Sequence, residues 1–418
     1  MDLDGMNNRP ALRILNQMAG PMTWELAIDL AAALERVDIL TGHPDTLAKG
    51  SQRGVHLHPA KAYQRGSNLR RFASWARYSL HAGYWLLRGG RSFPVLVFSN
   101  PPITIWICWL FNRIFGLRYA VMVHDIYPDT IERMGIVKPT NLLARVWRFA
   151  NRIAYERAEV VMTLGNHMAN HVGRQFDAAK TSAGELLVVD PWADPEKLGT
   201  HTNSENWFAV EHDQTEKLTV MYSGNMGRGH DIESILEASK SFRDEPNVGF
   251  MFIGAGPKWQ TVEKYLCDDQ HASNVTLLPW QREEDLPFTL TTADIGVVSL
   301  EKELSGLAVP SKAFYFLAAG VPVLGICESD TELADTIREF NCGRVVPPGR
   351  PHEIAATVQD ALTNPALMEQ WKAGANEARQ HFSRARNTER FLKVLREYLL
   401  PPSRKATEPA HPTVVANS

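Results

Sequence analysis

The sequence predicts an α/β protein made of two doubly wound, Rossmann-like parallel-sheet domains. Three observations predict it. Short apolar runs alternate with longer stretches of helical spacing along nearly all of the 418 residues. Many of the runs are apolar at every position, as strands covered on both faces are. A polar stretch broken by proline and glycine splits the alternation into two series, and a chain of this length suits two cores.

The first series offers the strands ALRILNQ, VDILTG, FPVLVFSN, YAVMVHD and EVVMTLG. Segments such as MTWELAIDLAAALE, with apolar residues at helical spacing, lie between them. Strand–helix alternation of this kind builds βαβ units. Val188 to Leu218 is polar and interrupted by proline and glycine, which reads as a linker and entry loop. The second series offers LTVMYSGN, GFMFIGAG, VTLLPW, IGVVSL, VPVLGI and GRVVP, with DIESILEASKSF as one intervening helix. ERFLKVLREYLL follows as an amphipathic helix. The Pro/Ala/Ser-rich tail at 401–418 has the composition of a disordered segment. The expected division is 1–195, 196–383, a last helix at 384–400, and that tail.

Bulk properties exclude several classes. A net charge of −3 argues against a general nucleic-acid binder. Four scattered cysteines, with no Cys-x-x-Cys pair, fit a reducing compartment rather than a disulfide framework or a zinc ribbon. No signal-peptide core is present at the N-terminus. The longest apolar run, Ile103 to Phe111, is too short to span a bilayer and stops at Asn112 and Arg113. A cytoplasmic protein is expected.

Open parallel sheets bind ligands beyond the carboxyl ends of their strands. Candidate residues therefore follow strands. After LTVMYS comes GNMGRGHD, in which Gly224, Gly227 and Gly229 permit tight turns and Arg228 and His230 add polar groups before a helix begins. After GFMFIG come Gly254 and Gly256, a Gly-x-Gly without the third glycine of a dinucleotide fingerprint. After VTLLP come Trp280 and Gln281, where a base would stack; the tryptophan is equally a core residue on sequence grounds. After IGVVSL come Glu301 and Glu303, then Pro310, Ser311 and Lys312 opening an apolar helix. The first amides of a helix lack internal partners, and a diphosphate would satisfy them, with Lys312 adding a full charge.

The first half has its own set. Gly20, Pro21 and Thr23 follow the first strand, Asn100 stands in SNPP, and His124 and Asp125 end another strand. Gly-x-Ser-x-Gly and Walker A sequences are absent. Asp2 and Asp4 form an Asp-x-Asp ahead of the first strand, a poor place for a metal–diphosphate site. His167 and His171 are four apart but lack the glutamate of a His-Glu-x-x-His motif. No metal site is expected. Asn68 to Arg91 mixes arginines with Phe72, Trp75, Tyr78, Tyr84 and Trp85. It reads either as a core-facing helix with a solvated edge or as one that lies in an anionic membrane surface.

Taken together, MYSGNMGRGHDIESILEA, FMFIGAGPKW, VTLLPWQREEDLP, ADIGVVSL and VPSKAFYFLAAGVPVLG resemble the family 4 glycosyltransferases of the GT-B fold. SNPP, VMVHDIYPDTIERMGI and YERAEVVMTLGNHM are similar to the bacterial surface-polysaccharide branch of that family. The resemblance implies a C-terminal domain that holds a nucleotide-diphosphate sugar and an N-terminal domain that holds a saccharide or polyprenyl-diphosphate-linked acceptor. It implies a last helix that crosses back to the first domain, and a retaining transfer with no cofactor and no metal. It also makes the inner-membrane surface an expected partner.

By position, Gly224, Asn225 and Arg228 match the family's phosphate loop, and Trp280 and Gln281 its base loop. The family's paired glutamates would fall on Leu307 and Tyr315, neither of them acidic. Tyr315 is carried as a donor-side residue, with Glu301 or Glu303 as the replacement carboxylate. Arg228 and Lys312 are the expected electrostatic catalysts, and His124 and Asp125 the groups that orient acceptor or sugar. A non-hydrolysing nucleotide-sugar epimerase and a non-catalytic nucleotide-sugar-binding partner remain as alternatives.

Overall fold

The computed structural model describes residues 11–64, 67–89, 93–138, 140–202, 204–268, 272–300 and 302–400. Glu301, Asp2, Asp4 and the 401–418 tail lie outside the described residues.

Two all-parallel sheets form. The first contains β1 (Leu12–Leu15), β2 (Val37–Thr41), β3 (Val55–Pro59), β4 (Val95–Phe98), β5 (Tyr119–Val123), β6 (Val160–Thr163) and β7 (Leu186–Val188), in the order β3-β2-β1-β4-β5-β6-β7. The second contains β8 (Leu218–Asn225), β9 (Val248–Ala255), β10 (Val275–Leu278), β11 (Ile295–Ser299), β12 (Val323–Ile326) and β13 (Gly343–Val346), in the order β10-β9-β8-β11-β12-β13. Each order reverses direction once, between β1 and β4 and between β8 and β11, and such reversals open a crevice at the strand ends. The central strands LRIL, VLVF, YAVMV and VVMT are buried at every position, which their unbroken apolar sequence requires.

Two strands of the first sheet, β3 and β7, are absent from the sequence reading, and both are its edges. The stretch at 188–218 is also more ordered than a linker, carrying the short helices Pro195–Leu198 and Trp207–Glu211.

Helix boundaries follow local chemistry. The Ser67 hydroxyl accepts from the Arg70 amide and starts the helix Asn68–Arg88. The Asn141 side chain accepts from the Leu143 amide and starts Leu142–Tyr155. Gly116, left-handed at φ 70°, ends Ile103–Phe115. Among the described residues no helix is long and apolar enough to cross a membrane.

The chain passes between the sheets twice, and the passages pair: Ala193 bridges Ser383 in parallel, and the Ala193 amide donates to the Phe382 carbonyl at 3.3 Å. After the second passage, the helix Arg384–Val394 continues as a wider turn, Leu395–Leu399. Phe391, Leu395 and Leu399 join the apolar core of the first sheet. The Arg384 guanidinium grips both oxygens of Asp29, at 2.9 and 2.7 Å, and reaches Asp194 at 3.0 Å.

Candidate functional site

The strands of the second sheet converge on a cluster around Lys312. Gly224 (φ 127°) and Gly254 (φ 137°) end β8 and β9 in conformations that side chains rarely adopt. A Cβ on Gly254 would stand 2.1 Å from the Gly224 carbonyl oxygen. One on Gly224 would stand 2.7 Å from Lys312 Cε, so the glycine leaves room for the lysine to cross. Lys312 Nζ donates to the Asn225 carbonyl at 2.9 Å and to the Tyr222 hydroxyl, and lies 4.1 Å from the Tyr222 ring centre. The Tyr222 hydroxyl donates to the same carbonyl at 2.7 Å. Burial pulls the Lys312 ammonium down to about 7, and burial drives the Tyr222 phenol up. The cation is thus held among neutral dipoles, with no carboxylate among its bonded partners in the described residues.

Ser299, at the end of β11, ties this cluster to the next loop. Its hydroxyl accepts from the Asp231 amide at 2.7 Å, and its carbonyl accepts from His230 Nδ1 at 2.8 Å. Burial, with Lys312 close by, lowers His230 to about 4, so the ring is neutral near pH 7. Asp231 caps the helix Ile232–Ser239 by accepting from the Ser234 amide at 3.1 Å.

The other residues that the sequence assigns to the donor side follow strands of the same sheet. Arg228 is exposed between Gly227 and Gly229 and has no ion-pair partner among the described residues. A Cβ on Gly256 (φ 142°) would meet the Met226 carbonyl at 2.5 Å. Trp280 is 59% exposed beyond β10, which rules out a core role. Gln281 donates to the Pro279 carbonyl at 2.9 Å. Pro310 is half-buried, while Glu303 and Ser311 are exposed.

The helix opened by Ser311 is short, Lys312–Ala318, and Ser311 makes no capping bond through its side chain. With fewer than two turns the dipole is small, so the charge at this end resides on Nζ of Lys312 rather than on the helix. Burial, with Glu25 and Glu283 close by, pushes the Tyr315 phenol up to about 12. Glu25 belongs to the first lobe and Glu283 to the second, so Tyr315 sits where the lobes meet.

In the first lobe Ser99, at the end of β4, plays the part that Ser299 plays in the second. Its hydroxyl accepts from the amides of His124 and Asp125 at 2.9 and 3.0 Å. Burial lowers the His124 imidazole to about 4 and raises the Asp125 carboxyl. The His124 ring stands edge-on to Phe98 at 4.9 Å, and its Nε2 is buried without a hydrogen-bond partner among the described residues.

Asn100 is half-buried, and its carbonyl accepts from the Gln17 amide at 3.0 Å. Gly20 precedes the helix Pro21–Leu34, with Pro21 exposed. Thr23 is 3% exposed and accepts from Asn16 Nδ2 at 3.0 Å. Its hydroxyl is engaged inside the lobe, so it shapes the loop rather than facing an acceptor.

The lobes touch around the crevice. Lys49 meets Glu283 at 3.4 Å, His167 meets Asp335 at 2.8 Å, and Arg133 Nη1 donates to the Ser305 carbonyl at 2.8 Å. Glu332 of the second lobe accepts from the backbone amides of His167 and of Met168, the latter at 3.1 Å. Leu307, on the loop between β11 and Lys312, is 1% exposed and inserts into the core of the first lobe. An apolar plug therefore stands at one of the positions where the resemblance places a glutamate. The sequence held no signal for this, since a lone leucine in a loop does not announce its partner. Ser99 and Ser299 did carry one, both being polar residues that close apolar strands.

Two Rossmann-like parallel-sheet domains, with glycine-lined strand ends in the second, make the GT-B architecture. The family model described as "Glycosyl transferase 4-like domain" matches residues 19–184, and that described as "Glycosyl transferases group 1" matches 203–378. The chain belongs to the group 1 glycosyltransferases.

It is 26% identical over 314 residues to the probable glycosyltransferase WbjE of Pseudomonas aeruginosa, covering 75% of this chain and 76% of that one. It is 29% identical over 263 residues to the putative colanic acid biosynthesis glycosyl transferase WcaI of Escherichia coli, covering 61% and 63%. Among solved structures, Anabaena HepE in complex with UDP-glucose superposes with a TM-score of 0.68 at 14% identity, over 92% of this chain and 98% of that one.

Proposed function

We propose that the protein moves a sugar, with retention of anomeric configuration and without a metal ion, from a nucleotide-diphosphate donor to a saccharide or polyprenyl-diphosphate-linked acceptor in bacterial cell-surface polysaccharide synthesis. The observation that carries the reading is Lys312, an ammonium buried at the strand ends of the second sheet with only neutral partners among the described residues. Such a cation lacks the negative charge that a diphosphate brings. Arg228, exposed in the adjoining loop, supplies a second positive charge. Two cations balance the two charges of a nucleotide-sugar diphosphate, and this is the ground for proposing metal independence.

As the anomeric C–O bond breaks, charge grows on the leaving phosphate oxygen, where Lys312 and Arg228 stabilise it. The acceptor hydroxyl attacks from the face that the phosphate leaves, and the phosphate takes its proton. No protein nucleophile is then needed. His124, neutral near pH 7, has a ring nitrogen free to bond a sugar or acceptor hydroxyl. The relatives' names support the setting: WcaI is described as a colanic acid biosynthesis enzyme, and HepE was solved with UDP-glucose.

The test is a transfer assay with UDP- and GDP-sugars. Lys312→Ala lowers kcat/KM by about 10²–10³. A chelator leaves the rate unchanged, and product NMR reports the donor's anomeric configuration. Activity of the alanine variant equal to that of the wild type removes Lys312 from the scheme, and an inverted product removes retention.

A further inference from the structure

We propose that Tyr222 is a positioning residue for the transfer: its hydroxyl seats the Lys312 ammonium and leaves one N–H of that cation for the donor diphosphate. The assignment rests on the donor site proposed above, and it gives that site a fixed rather than a wandering charge.

Tyr222 lies near the end of β8, where side chains alternate between the two faces of the sheet. Val220 and Tyr222 enter one apolar cluster, and Met221 enters the other. The Tyr222 ring is 1% exposed and stacks on Phe252 of β9, with 6.4 Å between ring centres. This packing holds the ring and so fixes where its hydroxyl stands. A phenylalanine would fill the same core. The hydroxyl is the part that needs partners, and it has them.

The partners close a triangle. The Tyr222 hydroxyl donates to the Asn225 carbonyl at 2.7 Å, which engages its single hydrogen and leaves its lone pairs to accept. Lys312 Nζ donates to that hydroxyl and, at 2.9 Å, to the same carbonyl. Burial drives the phenol up, so it stays protonated and the direction of these bonds is set. An ammonium has three N–H groups. Two of them point to this pair of oxygens, and the third has no acceptor among the described residues. Lys312 is half-buried, so the third stays within reach of a ligand.

The stem is confined too. Gly224 presents no side chain to Lys312 Cε, and Tyr222 holds the head. A lysine left free would sample many rotamers, and ordering it would weaken ligand binding. The charged and titratable groups beside the pair come from several elements. The His230 ring stands 6.1 Å from that of Tyr222 and is neutral near pH 7. Lys258 Nζ donates to the His230 carbonyl at 2.7 Å and meets Glu233 at 2.8 Å. Arg228 is exposed in the same loop, and Tyr315, on the helix of Lys312, is a phenol that burial pushes up. With no carboxylate bonded to Lys312 among the described residues, its two oxygen partners govern how firmly it keeps its proton.

Tyr222→Phe keeps the ring and removes the hydroxyl. Losing a hydrogen bond to a charged group shifts an equilibrium about ten-fold. In the ligand-free variant Lys312 should therefore release its proton about one pH unit below its wild-type midpoint of about 7. Carbon-13 NMR of the full chain, with lysines labelled at Cε and Lys312→Met for assignment, reads that midpoint. Calorimetry with UDP-glucose and GDP-mannose gives the consequence. Affinity should fall about five-fold at pH 7 and about nine-fold at pH 8, and stay within about 1.5-fold of the wild type at pH 5.5. A merely structural role would lower it by the same factor at every pH. The wild-type protein supplies a test that stands even where the variant does not fold: a nuclear Overhauser contact should join the Lys312 Cε protons to the Tyr222 ring.

A Lys312 midpoint that is the same in both proteins overturns the proposal. So does a loss of affinity that is uniform in pH, or a wild-type protein without the Overhauser contact. A midpoint that moves while neither nucleotide sugar binds supports the seat and counts against the donor site.

Discussion

Titrating Lys312 tests the donor site in isolation. In the ligand-free protein its ammonium loses its proton near pH 7, because burial disfavours the charge. A bound diphosphate reverses that balance, so the site binds its ligand in the protonated state. With a free-state value near 7 and a bound-state value well above it, about half of the free sites are protonated at pH 7 and about 1% at pH 9. The apparent dissociation constant of a nucleotide sugar should therefore rise about 50-fold between those two pH values. The diphosphate of a nucleotide sugar does not titrate in this range, so the change belongs to the protein.

Calorimetry in two buffers of different ionisation enthalpy should show about half a proton taken up per ligand bound at pH 7. Lys312→Met should bind weakly with no pH dependence. An affinity that is flat across the range in the wild type, or no proton uptake, would refute the placement of the diphosphate at Lys312.

The same group sets a stability trend of known sign. Its folded value, about 7, lies below the ordinary 10.5, so between these limits the unfolded chain binds a proton that the folded chain does not. Stability of the ligand-free protein should rise with pH across this window, with a slope of up to about 1.4 kcal/mol per pH unit from this residue. The methionine variant should lack that component.

Other outcomes follow from particular residues. Trp280→Ala should weaken nucleotide binding about ten-fold through lost base stacking, while the melting temperature holds because the side chain is 59% exposed. Gly254→Ala should cost about 3 kcal/mol or more in urea unfolding, since its Cβ would stand 2.1 Å from a carbonyl oxygen at φ 137°. Arg384→Ala should cost about 2–3 kcal/mol by the same measurement, because it leaves Asp29 and the half-buried Asp194 without their guanidinium.

The central strands were legible because burial on both faces leaves no position for a polar residue. The missed strands, β3 and β7, are edges. VHLHP has polar histidines alternating with apolar residues and ends in proline, and LLV spans only three positions. An edge strand has one neighbour, so its sequence is less constrained. In the site, the glycines at 224, 254 and 256 were readable because close backbone approach demands them. The direction of the Lys312 side chain was not, since its partners Tyr222 and Asn225 lie 90 and 87 residues away. Thr23 looked available in sequence and proved buried, and Trp75 and Tyr78 took the core-facing one of their two readings; which face of a helix is covered depends on neighbours that local spacing does not name.

The return of the last helix imposes an order on biogenesis. Phe391, Leu395 and Leu399 complete the core of the lobe that is synthesised first. That core stays unfinished until residue 399 has been made. The core of the second lobe closes with Phe382, before the returning helix is made. The lobe begun first is thus the lobe whose core closes last, and it is also the one that carries the arginine-rich helix Asn68–Arg88.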